Sequence, residues 1–414
     1  MDIIFDNVAG LDVHHKTIMV CIRKIQPQGG KAEEVRTFGT MTRDLLQMSD
    51  SLASERVTHV AMESTGVLWK PVWNILEGLF QLLLVNPREL KQVPGRKSDV
   101  RDCQWIAHLL QCGLLRSSFV PPRAQRELRD LTRQRTQLLA EQGRAANRIH
   151  KTLEDANIKL GAVASDILGK SGRAMLRALV TGERDPAQLA ELALGRLRGK
   201  IPDLKSALQG HFTEHHCFML RSLLDHIEYL ERQIALFSNR IEGCLRPFLD
   251  DDQMERLDAI PGVNRRTVEN VVAEIGPDMS RFPDENHLSS WAGMSPGNEE
   301  SAGKRMRNRT AKGNRWLRRA LTEAAWAASH TKGSYLGARY RRLAARRGKK
   351  RALTAVGHTI LTIFYHLLSK DVDYQDLGAD YFDKLKPEQY RRYLVKRLET
   401  LGYDVTLTPK ETAA

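Results

Sequence analysis

Four acids are placed where they can do chemistry together: Asp12, Glu63, Asp99 and Asp102. Asp12 lies near the end of the apolar run Val8-Ala9-Gly10-Leu11-Asp12-Val13. Glu63 directly follows the run Val57-Thr58-His59-Val60-Ala61-Met62 and precedes Ser64-Thr65-Gly66. Asp99 and Asp102 are three apart, so on a helix they share one face. In open α/β sheets, sites form at the carboxyl ends of strands, where Glu63 should lie with Asp12 close by. Two carboxylates about 4 Å apart repel by roughly 4 kcal/mol at an effective dielectric near 20. Four converging acids therefore call for a divalent cation. Mg2+ is the hard, oxygen-seeking ion that fits, and a pair of such ions can activate phosphodiester chemistry. Taken singly, each acid has an ordinary use: Asp99 can cap a helix beginning near Ser98, and Asp102 can pair with a neighbouring Arg. What lifts the set is the order Asp, Glu, Asp-x-x-Asp, each on the expected element.

The elements that must position these acids read as α/β over residues 1–118. Val8–Val13 and Thr17–Ile22 are β-branched, apolar runs parted by His14-His15-Lys16, which predicts a hairpin, and Glu34–Phe38 adds a third strand. A helix over 42–54, the strand ending at Met62, an amphipathic stretch over 68–76, the unbroken apolar run Phe80–Val85 and a helix over 98–110 follow. Consecutive strands followed by alternating strands and helices predict a mixed sheet covered by helices. Pro121-Pro122 marks a boundary, and a helical region over 119–250 comes next. Within it Leu220, Ile227, Ile234 and Ile241 recur every seven residues, with Leu223, Leu230, Phe237 and Cys244 three residues later. That is a coiled-coil seam, which can pair within the chain or between chains and leads us to expect a homo-oligomer. Pro247 ends it. A third, helical region over 251–370 opens with two short helices around Ile260-Pro261-Gly262-Val263. A mixed-charge appendage over 371–414, with a helix from Pro387 to about Leu401, closes the chain.

Charge adds a partner. The chain of 414 residues carries a net +14, and residues 301–351 hold 17 Lys or Arg against one acid, Glu323. One segment thus holds the whole excess, the electrostatic footprint of a phosphate-backbone binder. Trp316, Trp326 and Tyr335 interleave with these cations and can stack on unpaired bases; at helical spacing, Trp316 and Trp326 read rather as core residues. The five cysteines include no C-x-x-C pair, which argues against structural zinc and a disulfide framework and reads as thiols in a reducing compartment. The start Met1-Asp2-Ile3-Ile4-Phe5-Asp6 lacks a basic leader, and we find no apolar run near the roughly 18 residues that cross a membrane, so a cytoplasmic, nucleoid-associated protein is expected.

At this point the chain resembles a known family, the DEDD transposases of bacterial insertion sequences numbered one-ten, whose N-terminal domain is similar to the RuvC Holliday-junction resolvase. The resembling stretches are Gly10-Leu11-Asp12-Val13-His14, Met62-Glu63-Ser64-Thr65-Gly66 and Arg96-Lys97-Ser98-Asp99-Val100-Arg101-Asp102. Downstream they are Ile260-Pro261-Gly262-Val263, Ala273-Glu274-Ile275-Gly276, Trp291-Ala292-Gly293-Met294-Ser295-Pro296-Gly297-Asn298, Glu300-Ser301-Ala302-Gly303-Lys304-Arg305 and Lys312-Gly313-Asn314-Arg315-Trp316-Leu317-Arg318. The resemblance implies an RNase H-like (RuvC-like) catalytic domain, a coiled coil and a helical transposase domain. It implies that Asp12, Glu63, Asp99 and Asp102 bind metal and that Ser301 is a nucleophile joined covalently to DNA. It further implies a structured bridge RNA that pairs with donor and target DNA, and an active site whose carboxylates and serine come from different protomers. Beside Ser301, the cations Lys304, Arg305, Arg307 and Arg309 are suited to the scissile phosphate, and Lys312, Arg315, Arg318 and Arg319 to backbone phosphates. On the residues alone Ser301 is an ordinary loop serine, and Ser295, Ser64, Tyr335 and Tyr340 compete for the role. Two other readings stand beside this one: a metal-dependent junction nuclease without a covalent intermediate, and a non-catalytic nucleic-acid binder on a degenerate nuclease fold. The intact acid set disfavours the latter.

Overall fold

The computed structural model describes residues 3–26, 30–64, 66–87, 90, 99–295, 299–301, 304–307, 312–385 and 387–408; of residues 31, 99–101, 299–301, 304–307 and 389 it describes the backbone alone. The chain divides into two compact units, Met1–Pro122 and Arg123–Ala414.

The first unit is built on a six-stranded sheet of order β3-β2-β1-β4-β5-β6. Strands β1 (Val8–Val13), β2 (Thr17–Ile25) and β3 (Lys31–Gly39) form an antiparallel meander. Helix α1 (Thr42–Ser54) carries the chain back to β4 (His59–Glu63), parallel to β1, and α2 (Trp69–Leu76) carries it to β5 (Gln81–Val85), parallel to β4. Helix α3 (Asp99–Gln111) precedes β6 (Ser117–Ser118), a two-residue antiparallel edge on β5. This is the mixed, helix-covered sheet expected from the sequence. Side chains alternate across it. Ala9, Leu11 and Val13 of β1 join Leu45, Met48 and Leu52 of α1 and Val72, Trp73 and Leu76 of α2 in one core. The opposite face packs on α3 in two smaller clusters, Val8, Ala61, Val85, Ile106 and Leu110, and then Cys21, Cys103 and Ala107.

In the second unit two long helices, α4 (Arg123–Asp155) and α5 (Glu214–Leu245), run antiparallel: Asp155 meets His216 at 3.0 Å and Gln142 meets Glu231 at 3.1 Å. The heptad residues Leu220, Leu223, Ile227, Leu230, Ile234 and Ile241 are buried, against Leu138, Ile149 and Leu153 of α4 among others. The seam is therefore taken up inside the chain, and any second copy must use another surface. Short helices between Leu160 and Ala207 cover one end of the pair through Met175, Leu176, Leu189 and Leu204.

The other end joins a helical core made by α6 (Asp251–Asp258), α7 (Arg265–Ile275), α8 (Glu285–Trp291), α9 (Arg315–His330), α10 (Tyr335–Arg347) and α11 (Lys349–Lys370). The turn at Pro261-Gly262 has its glycine at φ +84°, where a Cβ would meet Ala328 N at 2.3 Å and Ala324 O at 2.4 Å. That glycine answers to packing on α9. Helix α11 corrects the expectation that no apolar run nears membrane-spanning length, because it is long and apolar enough by composition, with an 18-residue window of mean hydropathy 1.3. Val356, Ile360, Leu361 and Phe364 bury that surface in the helical core. Residues after 370 form a strap. Asp371 and Asp373 pair with Arg256, Asp376 accepts the Tyr335 N–H at 2.9 Å, and Phe382 of α12 (Tyr381–Leu385) stacks on Tyr335 at 5.4 Å. Helix α13 (Pro387–Thr400) follows and is largely exposed.

Charge inside this unit is structural. Arg135 of α4 is 1% exposed and pairs with Glu269 of α7, and it donates to Asn270 Oδ1 at 3.1 Å. Removing one member of such a buried pair strands the other, at a cost of about 3–5 kcal/mol, whereas an apolar pair of similar size is close to neutral. Arg135→Met should thus lower the unfolding free energy, read from urea titration followed by circular dichroism, by about 3 kcal/mol, and adding Glu269→Leu should recover most of it.

Candidate active site and nucleic-acid interface

Gly10 sets the geometry of the first unit. A Cβ there would meet Ala107 N and Cys103 O, each at 2.4 Å, so only a bare Cα lets the α3 backbone rest on β1. Asp12, two residues on, faces the same side of the sheet. The parallel register pairs Leu11 with Met62, which sets Asp12 and Glu63 side by side at neighbouring carboxyl ends. Asp102 arrives on α3 one residue before Cys103, whose carbonyl lies over Gly10. Three acids from distant parts of the chain thus meet at one end of the sheet. Asp99 begins α3, and its side chain lies outside the described residues.

The electrostatics agree with this gathering. The Asp12 carboxyl is pushed above its ordinary range, first by burial and further by the charges of Asp102 and Glu63, while His14 opposes the shift. His14 Nε2 stands 3.0 Å from Asp12 Oδ2, within hydrogen-bond distance. Among the described residues no three His, Cys, Asp or Glu side chains close to metal-ligating distance. In kind these acids form an all-oxygen donor set suited to a hard divalent ion. The neighbouring thiols are not nucleophiles. Burial pushes Cys21 up to about 12 and Cys103 to about 11, with Asp12 adding to the latter.

In the second unit Ser301 ends β7 (Glu299–Ser301) and pairs with Lys304, the first residue of β8 (Lys304–Arg307). The side chains of Ser301, Lys304, Arg305 and Arg307, and the whole of Arg309, lie outside the described residues. Of the competing residues, Tyr335 and Tyr340 pack against the helical core, the Ser64 N–H is held by Val85 O at 2.9 Å, and that of Ser295 by Ser289 O at 3.3 Å.

Downstream of the hairpin, a Cβ on Gly313 would meet Ala292 O at 2.1 Å, so the Lys312-Gly313-Asn314 segment lies flush against Ala292-Gly293. Asn314 caps α9 by accepting the N–H groups of Trp316 at 3.0 Å and Leu317 at 3.2 Å. Its Nδ2 donates to Glu274 at 2.6 Å. Glu274 is 1% exposed and also receives a bidentate Arg133 at 2.7 and 2.8 Å, while Arg129 donates to the Ala273 carbonyl at 2.9 Å. One buried carboxylate therefore locks α4, α7 and the start of α9 together. The sequence reading missed this role. The i, i+4 spacing of Arg129 and Arg133 on an otherwise charged helix was its only trace.

The hub fixes the helix end that carries Lys312, Arg315, Arg318 and Arg319, which line one shallow groove. Trp316 is half-buried between Arg315 at 4.8 Å and Arg133 at 5.9 Å. Trp326 is 60% exposed. The expectation that both tryptophans are core residues is overturned for Trp326: the buried side of α9 is Leu317, Ala320, Leu321, Ala324, Ala325 and Ala328, and position 326 falls on the opposite side.

Because burial and two acid neighbours make Asp12 hard to ionise, the folded chain holds that proton more tightly than the unfolded one. The resulting penalty is absent well below the usual Asp pKa of 3.8, sets in as pH rises past it and grows until the raised value is passed. In chelator at pH 7, Asp12→Asn should melt on the order of 2 °C above the parent, with the gap closing as the pH is lowered toward 4. A variant that melts lower at pH 7 contradicts this.

A family profile described as a transposase of the IS110 DEDD type matches residues 9–158, and a second, described as Transposase IS116/IS110/IS902 family, matches residues 254–341. Among solved structures, Thermus thermophilus RuvC is 13% identical, with 27% of this chain and 99% of RuvC covered, at a TM-score of 0.22. T. thermophilus RuvC in complex with a Holliday junction substrate is likewise 13% identical over 27% of this chain and 99% of that one, at a TM-score of 0.21. No curated protein matches the chain. The two transposase profiles together take in more than half of the sequence, with Asp12, Glu63, Asp99 and Asp102 inside the first and Ser301 inside the second: the chain belongs to the IS110 family of transposases, enzymes that act on DNA.

Proposed function

We propose that this transposase cuts and rejoins DNA with Asp12, Glu63, Asp99 and Asp102 as ligands of Mg2+ and with Ser301 as the nucleophile, directed to donor and target by a bridge RNA. The observation that carries the reading is the electrostatic coupling of Asp12 to both Glu63 and Asp102 at the end of the sheet, beside α3. A DEDD transposase implies a divalent metal, and carboxylate donors favour Mg2+ over softer ions. When bound, the ion offsets the acids' repulsion and polarises a phosphodiester oxygen.

The chain's own residues do the rest. Asp12 and Glu63 sit at strand ends, and α3 is held against Gly10, so the acids start from fixed backbones. His14, 3.0 Å from Asp12, holds that carboxylate by a hydrogen bond. In the proposed step the Ser301 Oγ–P bond forms as a P–O bond of the DNA breaks. The serine proton passes to a base, and the departing DNA oxygen takes up a proton. Attack of a new strand end on the phosphoserine reverses these changes and reseals the DNA. Lys304, Arg305, Arg307 and Arg309 are suited to steady the charge on the scissile phosphate, and Lys312, Arg315, Arg318 and Arg319 to hold flanking phosphates. The protein works as a dimer or a tetramer in synapsis, with acids and serine drawn from different protomers, on DNA in the cytoplasm.

The test pairs Ser301→Ala with Asp12→Ala in recombination of donor and target DNA with Mg2+ and bridge RNA. Both should lose at least about 10³-fold in rate while still binding DNA. Only chains with Ser301 should yield a protein–DNA adduct, mapped to that residue by mass spectrometry. Recombination by Ser301→Ala would remove the serine from the mechanism.

A further inference from the structure

The solvent face of α9 holds an unused aromatic surface. At 100° per residue, Arg315, Arg319, Glu323, Trp326 and His330 fall on one stripe, opposite the buried side of the helix. The Trp326 indole is 60% exposed, and the His330 ring lies beside it at 4.5 Å between centroids. The exposed ring offers a flat π-face to solvent in the middle of a polar stripe. Electrostatics names the partner's class, because Glu323 is the one acid among 17 cations over residues 301–351, and it already pairs with Arg319 at 2.8 Å. The groove beginning at Lys312 and Arg315 approaches Trp326 along the same helix, about three turns away. A polyanion with exposed flat rings satisfies both demands, whereas an apolar protein surface would leave the cations unpaired.

From this we infer that Trp326, with His330 beside it, is a stacking platform for an unpaired nucleobase, whose neighbouring phosphates run over Arg319 and Arg315. The inference rests on the reading above that this unit handles nucleic acid, and it adds the strandedness. A duplex keeps its bases stacked on one another and offers the indole nothing, whereas an unpaired base has a free π-face. Ribose and deoxyribose strands share this chemistry.

The experiment is fluorescence anisotropy of the full-length protein with labelled single-stranded RNA, single-stranded DNA and duplex DNA of equal length. Trp326→Ala should weaken binding to at least one single strand by about tenfold and leave duplex binding within about twofold, and Trp326→Phe should retain most of the single-strand affinity. A loss confined to RNA, or to DNA, supports the platform and names its strand. Equal losses on single strands and duplex, or no loss on any, would overturn it. So would an altered mass by light scattering with single-strand binding unchanged, which would give the indole to a second copy of the chain. A parent protein that binds no nucleic acid at all would defeat the broader reading as well, so the two failures are distinguishable.

Discussion

The contact between the α3 backbone and Gly10 governs the first unit. A helix that rests on a strand at van der Waals distance has no room for a side chain beneath it, and the buried carbonyl of Cys103 and N–H of Ala107 fill the place of a Cβ. From that contact follows the position of Asp102, because it is the residue before Cys103, and the orientation of the whole helix that begins at Asp99. The sheet supplies the other half. Parallel pairing of β1 with β4 sets Asp12 and Glu63 at adjacent strand ends, and alternation turns both toward α3. The fold thus concentrates negative charge where local burial makes that charge expensive, and Asp12 bears the cost as a raised pKa. Such a gathering is poor engineering for stability and good engineering for holding a cation.

The second unit solves a related problem with the opposite sign. Its cationic helices repel one another, yet Arg135 is buried and Arg129 and Arg133 are half-buried. Arg133 meets Glu274 with two of its nitrogens, and Arg135 is enclosed with Glu269, so these cations are spent on architecture. Others face outward, Arg315 in the open and Arg319 beside Glu323. Burying ion pairs contributes little net stability, but it penalises every arrangement in which a partner is missing, so α4, α7 and α9 have one register. Asn314 ties that register to the helix end facing the groove.

Much of this was legible in the sequence because the period of apolar residues is a physical consequence of packing. β1, β2, α1, β4 and β5 fall within a few residues of the runs that predict them, since each has one face or both faces in a core. What could not be read lacks such a signature. The β7–β8 hairpin, Glu-Glu-Ser followed by Lys-Arg-Met-Arg, has almost no apolar residue to alternate. A seven-residue seam states that a partner helix exists, and only folding showed that it is α4. Arg135 and Glu269 look like surface charges until their partners are known. Trp326 misled for a different reason: an aromatic side chain suggests a core, yet its place in the helical period falls opposite the apolar side of α9, and it is exposed. For the site, the four acids were distinctive by placement, whereas Ser301 rests on the family resemblance alone.

The central claim, that acids far apart in the chain form one divalent-cation site, is tested most directly by titrating the purified protein with Mn2+ and reading free ion by electron paramagnetic resonance. The account predicts saturable binding by the parent chain, weakened by roughly tenfold or more in each of Asp12→Asn, Glu63→Gln and Asp102→Asn. Binding that is the same in all three variants as in the parent would contradict it.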